Sequence, residues 1–111
     1  MLPPYKPYIP KDAGEIRDLL GMMMIDSPSF ADKTGYFPEQ NIDTVFYALN
    51  ESLRRIRNKL GEERYIKLLE MSGRMRAHFE ADPENKTEDT RRGCEIIVEM
   101  RDLLKQGARR S

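Results

Sequence analysis

Apolar residues recur every three or four positions over most of this chain, the period of helices with one buried face. The clearest run is Ile42, Val45, Phe46, Leu49, Leu53, Ile56 and Leu60. Asn41 or Asp43 can cap its start, and Gly61 marks its end, where a helix commonly gives way to glycine. A second stripe, Tyr65, Leu68, Leu69, Met75 and Phe79 with Ser72 between, predicts a helix from about Glu62 to Ala81, stopped by Pro83. The short break at Gly61 predicts that these two helices reverse into an antiparallel hairpin. A third long helix is expected from near Thr87 to Gly107. Thr87 or Thr90 would cap it, Glu88 and Asp89 would suit its first turn, and its stripe would be Cys94, Ile97, Val98 and Leu104, widened by Met100 and Leu103. Ahead of them, Asp12 with Glu15 three residues on has the spacing of a capping box. Ile16, Leu19, Leu20 and Met23 then give a shorter helix to about Met24.

The expected fold class is therefore all-α: a small bundle of three long helices plus a shorter N-terminal helix. Residues 1–10 hold Pro3, Pro4, Pro7 and Pro10 and read as an extended arm that Tyr5, Tyr8 and Ile9 could dock. Residues 11–107 form the single helical domain, and 108–111 a tail. The connection over 25–40 is long, is punctuated by Pro28, Gly35 and Pro38, and lacks the alternation of a strand. Long ordered loops in compact domains are often functional, or are held down by their own side chains.

Composition narrows the class. At 111 residues the chain is one domain. Hydrophobic residues are 39% and charged residues 34%, which fits a folded domain with a heavily charged surface. Lys plus Arg equals Asp plus Glu at 19 each, so the basic excess of a strong nucleic-acid binder is missing. A single cysteine, Cys94, cannot make an internal disulfide, and its place on an apolar stripe makes it a core residue. The longest apolar cluster, Met22 to Ile25, is too short to span a bilayer. No basic-then-apolar leader is evident, so a cytoplasmic location is expected.

Candidate chemistry is sparse. His78 is the only histidine, and a zinc site needs three or four ligands, so no metal or other cofactor is expected. A small metal-dependent hydrolase using Glu62, Glu63, His78 and the carboxylates of 80–89 is the least favoured reading, because the carboxylates lack facing partners. No phosphate-binding glycine loop is present. The run Arg54-Arg55-Ile56-Arg57-Asn58-Lys59, followed by Arg64, could meet phosphates, but it occupies the outer face of a helix whose other face is core. The remaining candidate is the aromatic loop. Phe30, Tyr36 and Phe37 beside Asp26, Asp32, Glu39 and Asp43 combine apolar anchors with charged neighbours, as protein-binding surfaces do. The acidic turn with Asp82 and Glu84 is expected to adjoin it.

Three stretches, Gly35 to Thr44, Lys59 to Tyr65 and Met75 to Glu84, resemble small bacterial proteins of the toxin-immunity type, over most of residues 25–104. Such proteins share no common motif, so the resemblance implies a protein-binding role and transfers no residue roles. The expectation is a non-enzymatic inhibitor that blocks a cognate toxin by steric occlusion, with Asp26, Phe30, Asp32, Tyr36, Phe37, Glu39, Asp43, Asp82 and Glu84 as the binding set. The alternative is a nucleic-acid-binding or regulatory protein using the 54–64 face. Spare apolar residues Met22, Met24 and Met71 also raise the expectation of a homodimer.

Overall fold

A computed structural model describes residues 7–31 and 40–108, with side chains to Lys105. The described residues form five helices and no strand: α1 (Ala13–Asp26), α2 (Ile42–Arg55), α3 (Arg57–Leu60), α4 (Glu62–Ala81) and α5 (Asp89–Ala108). The arm residues Pro3, Pro4 and Tyr5 and the tail 109–111 lie outside the described residues.

Each helix start follows from a short polar side chain. Asp12 accepts the Glu15 amide at 2.9 Å and opens α1. The Glu15 carboxylate does not complete the expected box with Asp12. It accepts the Lys11 amide at 2.8 Å and the Tyr8 hydroxyl at 2.7 Å, which ties the arm to the helix. Asn41 opens α2 with a reciprocal box: its side chain takes the Thr44 amide, and the Thr44 hydroxyl takes the Asn41 amide, each at 3.0 Å.

The expected continuous helix from Ile42 to Leu60 is broken at Ile56, whose backbone (φ −105, ψ 16) leaves the helical range. One turn earlier the buried Ser52 hydroxyl donates to the Leu49 carbonyl at 2.7 Å, a back-bond of the kind that bends helices. The stripe survives the break, because Ile56 and Leu60 remain buried. Gly61 then turns the chain at φ 84, ψ 150, a region open to glycine and almost nothing else.

The core is a single cluster drawn from α1 (Ile16, Leu20, Met23), α2 (Phe46, Leu49, Leu53), α4 (Leu68, Met75, Phe79) and α5 (Ile97, Met100, Leu104). α5 packs mainly on α4 and α1. Its buried face is rotated from the expected one: Ile96 is buried and Val98 is 48% exposed. Gly93 lies on the observed buried face, where an added Cβ would stand 2.6 Å from two carbons of the Phe79 ring. The missing side chain lets α5 settle on that ring. Met71, expected to be spare, is buried, whereas Met22 is exposed.

Candidate interaction surfaces

The helices alternate in direction, so the C-termini of α1 and α4 meet the N-termini of α2 and α5 at one end of the bundle. Phe30 is the centre of that end. Its ring meets Phe46 of α2 edge-on at 5.7 Å and Phe79 of α4 at 5.1 Å. Its amide donates to the Asp26 carbonyl at 2.9 Å, and its own carbonyl accepts the Gln40 side chain at 2.8 Å. The two ends of the 31–40 connection are thus pinned to one point. Phe30 holds a left-handed backbone (φ 61), a conformation that costs a bulky residue energy and that full burial between two aromatic rings enforces.

This placement corrects the expectation for Phe30. The ring is fully buried and serves as the root of the loop, so it offers no surface to a partner. Asp32, Tyr36, Phe37 and Glu39 lie outside the described residues. Asp26 closes α1 and is half-buried beside that root.

Asp82 is a second correction. It is 3% exposed, and its carboxylate is consumed within the chain. Oδ1 accepts the amides of Lys86 at 2.6 Å and Thr87 at 3.1 Å. Oδ2 accepts the Thr90 hydroxyl at 2.7 Å and its amide at 3.2 Å. Burial pushes this carboxyl up, but the Thr90 hydroxyl and the three amides outweigh it and hold it at about 2. Asp82 therefore staples the α4–α5 turn and caps α5. Thr90, one of the expected caps, is instead buried as the partner of Asp82, and the Thr87 hydroxyl accepts the Asp89 amide at 3.1 Å.

The exposed carboxylates of this end remain. Asp43 and Glu80 share a single cation, Arg76, which bridges α2 and α4 and lies 5.6 Å from the Phe46 ring centre. Glu84 pairs with Lys86 at 2.8 Å, and Glu88 with Arg91 at 2.9 Å, all four side chains being largely solvent-exposed. His78 Nδ1 is 2.8 Å from Asp89 Oδ1, and the histidine contact leads the effects that lower the Asp89 carboxyl. His78 faces Asp89 across the turn and makes no bond to Asp82, although the two share a helix face by spacing. Asp43 and Glu84, both from the expected set, are thus brought to one end of the bundle, and Glu80 and Glu88, expected only among the carboxylates of 80–89, join them there.

Two carboxylates, Glu51 and Glu62, offset part of the basic face from within. Arg54 and Arg55 both bond Glu51, whose carboxyl is held at about 2, chiefly by the Arg54 hydrogen bond. Arg57 pairs with Glu62 and lies 4.8 Å from the Tyr65 ring centre. Arg64 donates to the Leu60 carbonyl at 3.1 Å. A phosphate backbone would have to displace these carboxylates to use the arginines. Among the described residues no three of His, Cys, Asp and Glu gather as a metal would need, and no helix is long and apolar enough to cross a membrane. Cys94 is half-buried against the core, with its sulfur 3.6 Å from the Ser27 hydroxyl. At the opposite end, Asp12, Ala13, Ile56, Lys59, Leu60 and Leu104 line part of a groove of about 300 Å³.

No family model, no curated protein and no solved structure matches the chain.

Proposed function

We propose that this chain is a non-enzymatic protein-binding module, most concretely a bacterial immunity-type inhibitor that acts in the cytoplasm by covering the working surface of a toxin. The observation that carries the reading is the gathering of exposed carboxylates, Asp43, Glu80, Glu84 and Glu88, around the pinned root of the 31–40 connection. A rigid helical end carrying a loop and a rim of charge suits occlusion of a partner with a basic site. The ion pairs on that rim are solvent-exposed and contribute little to stability, so their carboxylates can exchange an internal cation for one on a partner at small cost.

The test is co-expression with growth-inhibiting products of neighbouring genes. The wild-type chain should restore growth and co-purify with one of them in a one-to-one complex. Glu84→Lys combined with Glu88→Lys should abolish protection while leaving the circular-dichroism melt unchanged. Protection retained by that double variant would remove this end of the bundle from the interface, and no protection against any neighbouring product would remove the inhibitor reading itself. The nucleic-acid alternative predicts a salt-dependent mobility shift of DNA or RNA that Arg54→Ala, Arg55→Ala and Arg57→Ala together abolish.

A further inference from the structure

The α1–α5 seam carries two cations without a counter-charge. Arg17 Nε and Arg101 Nε are buried and have no hydrogen-bond partner, and no carboxylate among the described residues pairs with either guanidinium. The two helices run antiparallel, with Ser27 against Cys94 at one point and Gly21 against Arg101 at another. The Arg101 guanidinium lies over Gly21, 3.9 Å from where a Cβ would stand. Arg17 is one turn before Gly21 on the same side of α1, where residues four apart are neighbours. A buried N–H left unbonded is costly, and charged donors more so. Both arginines are only partly buried, so the rest of each side chain stays open at the surface of the seam.

The outer stripe of α1 carries a carboxylate that also lacks a counter-charge. Gly14, Asp18, Gly21 and Ile25 follow one another at spacings of four, three and four, the pattern of a helix–helix contact line. Asp18 is exposed and has no ion-pair partner among the described residues, and Ile25 is 79% exposed with Met22 beside it at 61%. We infer that this face binds a second copy of the chain, α1 against α1 in antiparallel fashion, with Asp18 of each copy reaching the Arg101 and Arg17 guanidinium groups of the other. A two-fold axis between residues 19 and 20 places Gly14 opposite Ile25 and Asp18 opposite Gly21. Each large side chain then faces a glycine, and each Asp18 arrives at the point that Arg101 already covers. Both contacts occur twice, as an isologous interface requires. The buried Nε atoms are out of reach of a second copy, so Asp18 would bond the Nη groups of these guanidiniums.

A helix of 14 residues is about 21 Å long, so the contact falls below the roughly 1,200 Å² of a standard interface and the dimer should be weak. Sedimentation velocity from micromolar to hundreds of micromolar chain should show a reversible monomer–dimer equilibrium. Asp18→Lys and Arg101→Glu should each weaken it about tenfold or more by placing like charges together. An equimolar mixture of those two variants should regain the dimer. The introduced lysine then meets the introduced glutamate at one half, and the native Asp18–Arg101 pair forms at the other. Ile25→Lys, at a solvent-exposed position, should weaken the dimer without touching the core, which guards against a charge variant that fails to fold. Three results would overturn the inference: a wild-type chain that stays monomeric throughout, a variant mixture that stays monomeric, or a monomer in which inorganic phosphate shifts the Arg17 and Arg101 side-chain resonances, which would assign the arginines to a small anion.

Discussion

Gly93 is where a single added carbon tests the packing most directly. In Gly93→Ala the new Cβ would stand 2.6 Å from two carbons of the Phe79 ring, whereas carbons in contact sit at about 3.5–4.0 Å. One partner must move by about 1 Å. Phe79 has little room to move, being fully buried with its ring 5.1 Å from that of Phe30, which Phe46 backs in turn. Overpacking of this kind costs about 1–3 kcal/mol. Alanine in a helix interior returns about 1 kcal/mol relative to glycine, so the net expectation is a loss of roughly 0–2 kcal/mol. Gly73→Ala in α4 is the matched control: it is exposed, nothing lies within 4 Å, and its backbone is helical, so it should gain about 1 kcal/mol. The two variants should therefore shift the midpoint of a thermal melt in opposite directions, by about 4–8 °C for each kcal/mol. Combining Gly93→Ala with Phe79→Leu should shrink the alanine penalty, because the smaller side chain yields the space; a double-mutant cycle reads that coupling. If Gly93→Ala matches Gly73→Ala in stability, the close contact between α5 and Phe79 is refuted.

Acid should unfold the protein through its depressed carboxyls. Asp82 is held at about 2 against an ordinary 3.8, so its contribution is complete above about pH 4 and is lost as pH falls toward 2; denaturant titrations should show this slope, and Asp82→Asn should flatten it. Gly61→Ala should cost about 1–3 kcal/mol in the same assay although nothing crowds the site, because φ 84 with ψ 150 strains any residue that has a Cβ. Ser72, 1% exposed, donates to the Asn50 side chain at 2.7 Å. Asn50→Ala strands that buried hydroxyl and should cost about 1–3 kcal/mol, more than Ser72→Ala at about 0.5–1.5, which leaves only an exposed amide for water to satisfy. Equal costs would mean that the Ser72 hydroxyl finds a backbone carbonyl of its own helix.

Local signals in the sequence were legible where they acted within a few residues. Asp12 and Gly61 mark real boundaries, and α4 runs from Glu62 to Ala81 as its stripe and Pro83 predict. The misses arise from side-chain bonds that residue spacing does not reveal and from partners distant in the chain. The helix break at Ile56 has no glycine or proline to announce it. The buried face of α5 includes Gly93, a glycine whose meaning depends on Phe79, fourteen positions earlier on another helix. Met71 and Met22 look alike in sequence, and only the packing of α4 against its neighbours buries one and exposes the other. The basic run was partly legible: the spacing of Glu51 and Arg55 announces their ion pair, whereas the Arg57–Glu62 pair depends on the turn at Gly61.

The two corrected site residues bear on where a partner could bind. Phe30 and Asp82 were singled out because an aromatic in a loop and an acid in a turn are common at interfaces. Those same residue types are what a bundle needs to anchor a long connection and to satisfy the open amides of a turn, and here both are spent on that work. Their burial fixes the loop root and the α4–α5 turn to one another through Phe79, which is followed three residues later by Asp82. A surface assembled on that base loses little backbone entropy when it docks, because the backbone at Asp43, Glu84 and Glu88 is held before any partner arrives. A variant that loosens the base, such as Phe30→Ala, should therefore weaken any binding at this end more than the removal of one exposed carboxylate, with the loss appearing even at temperatures where the bundle remains folded.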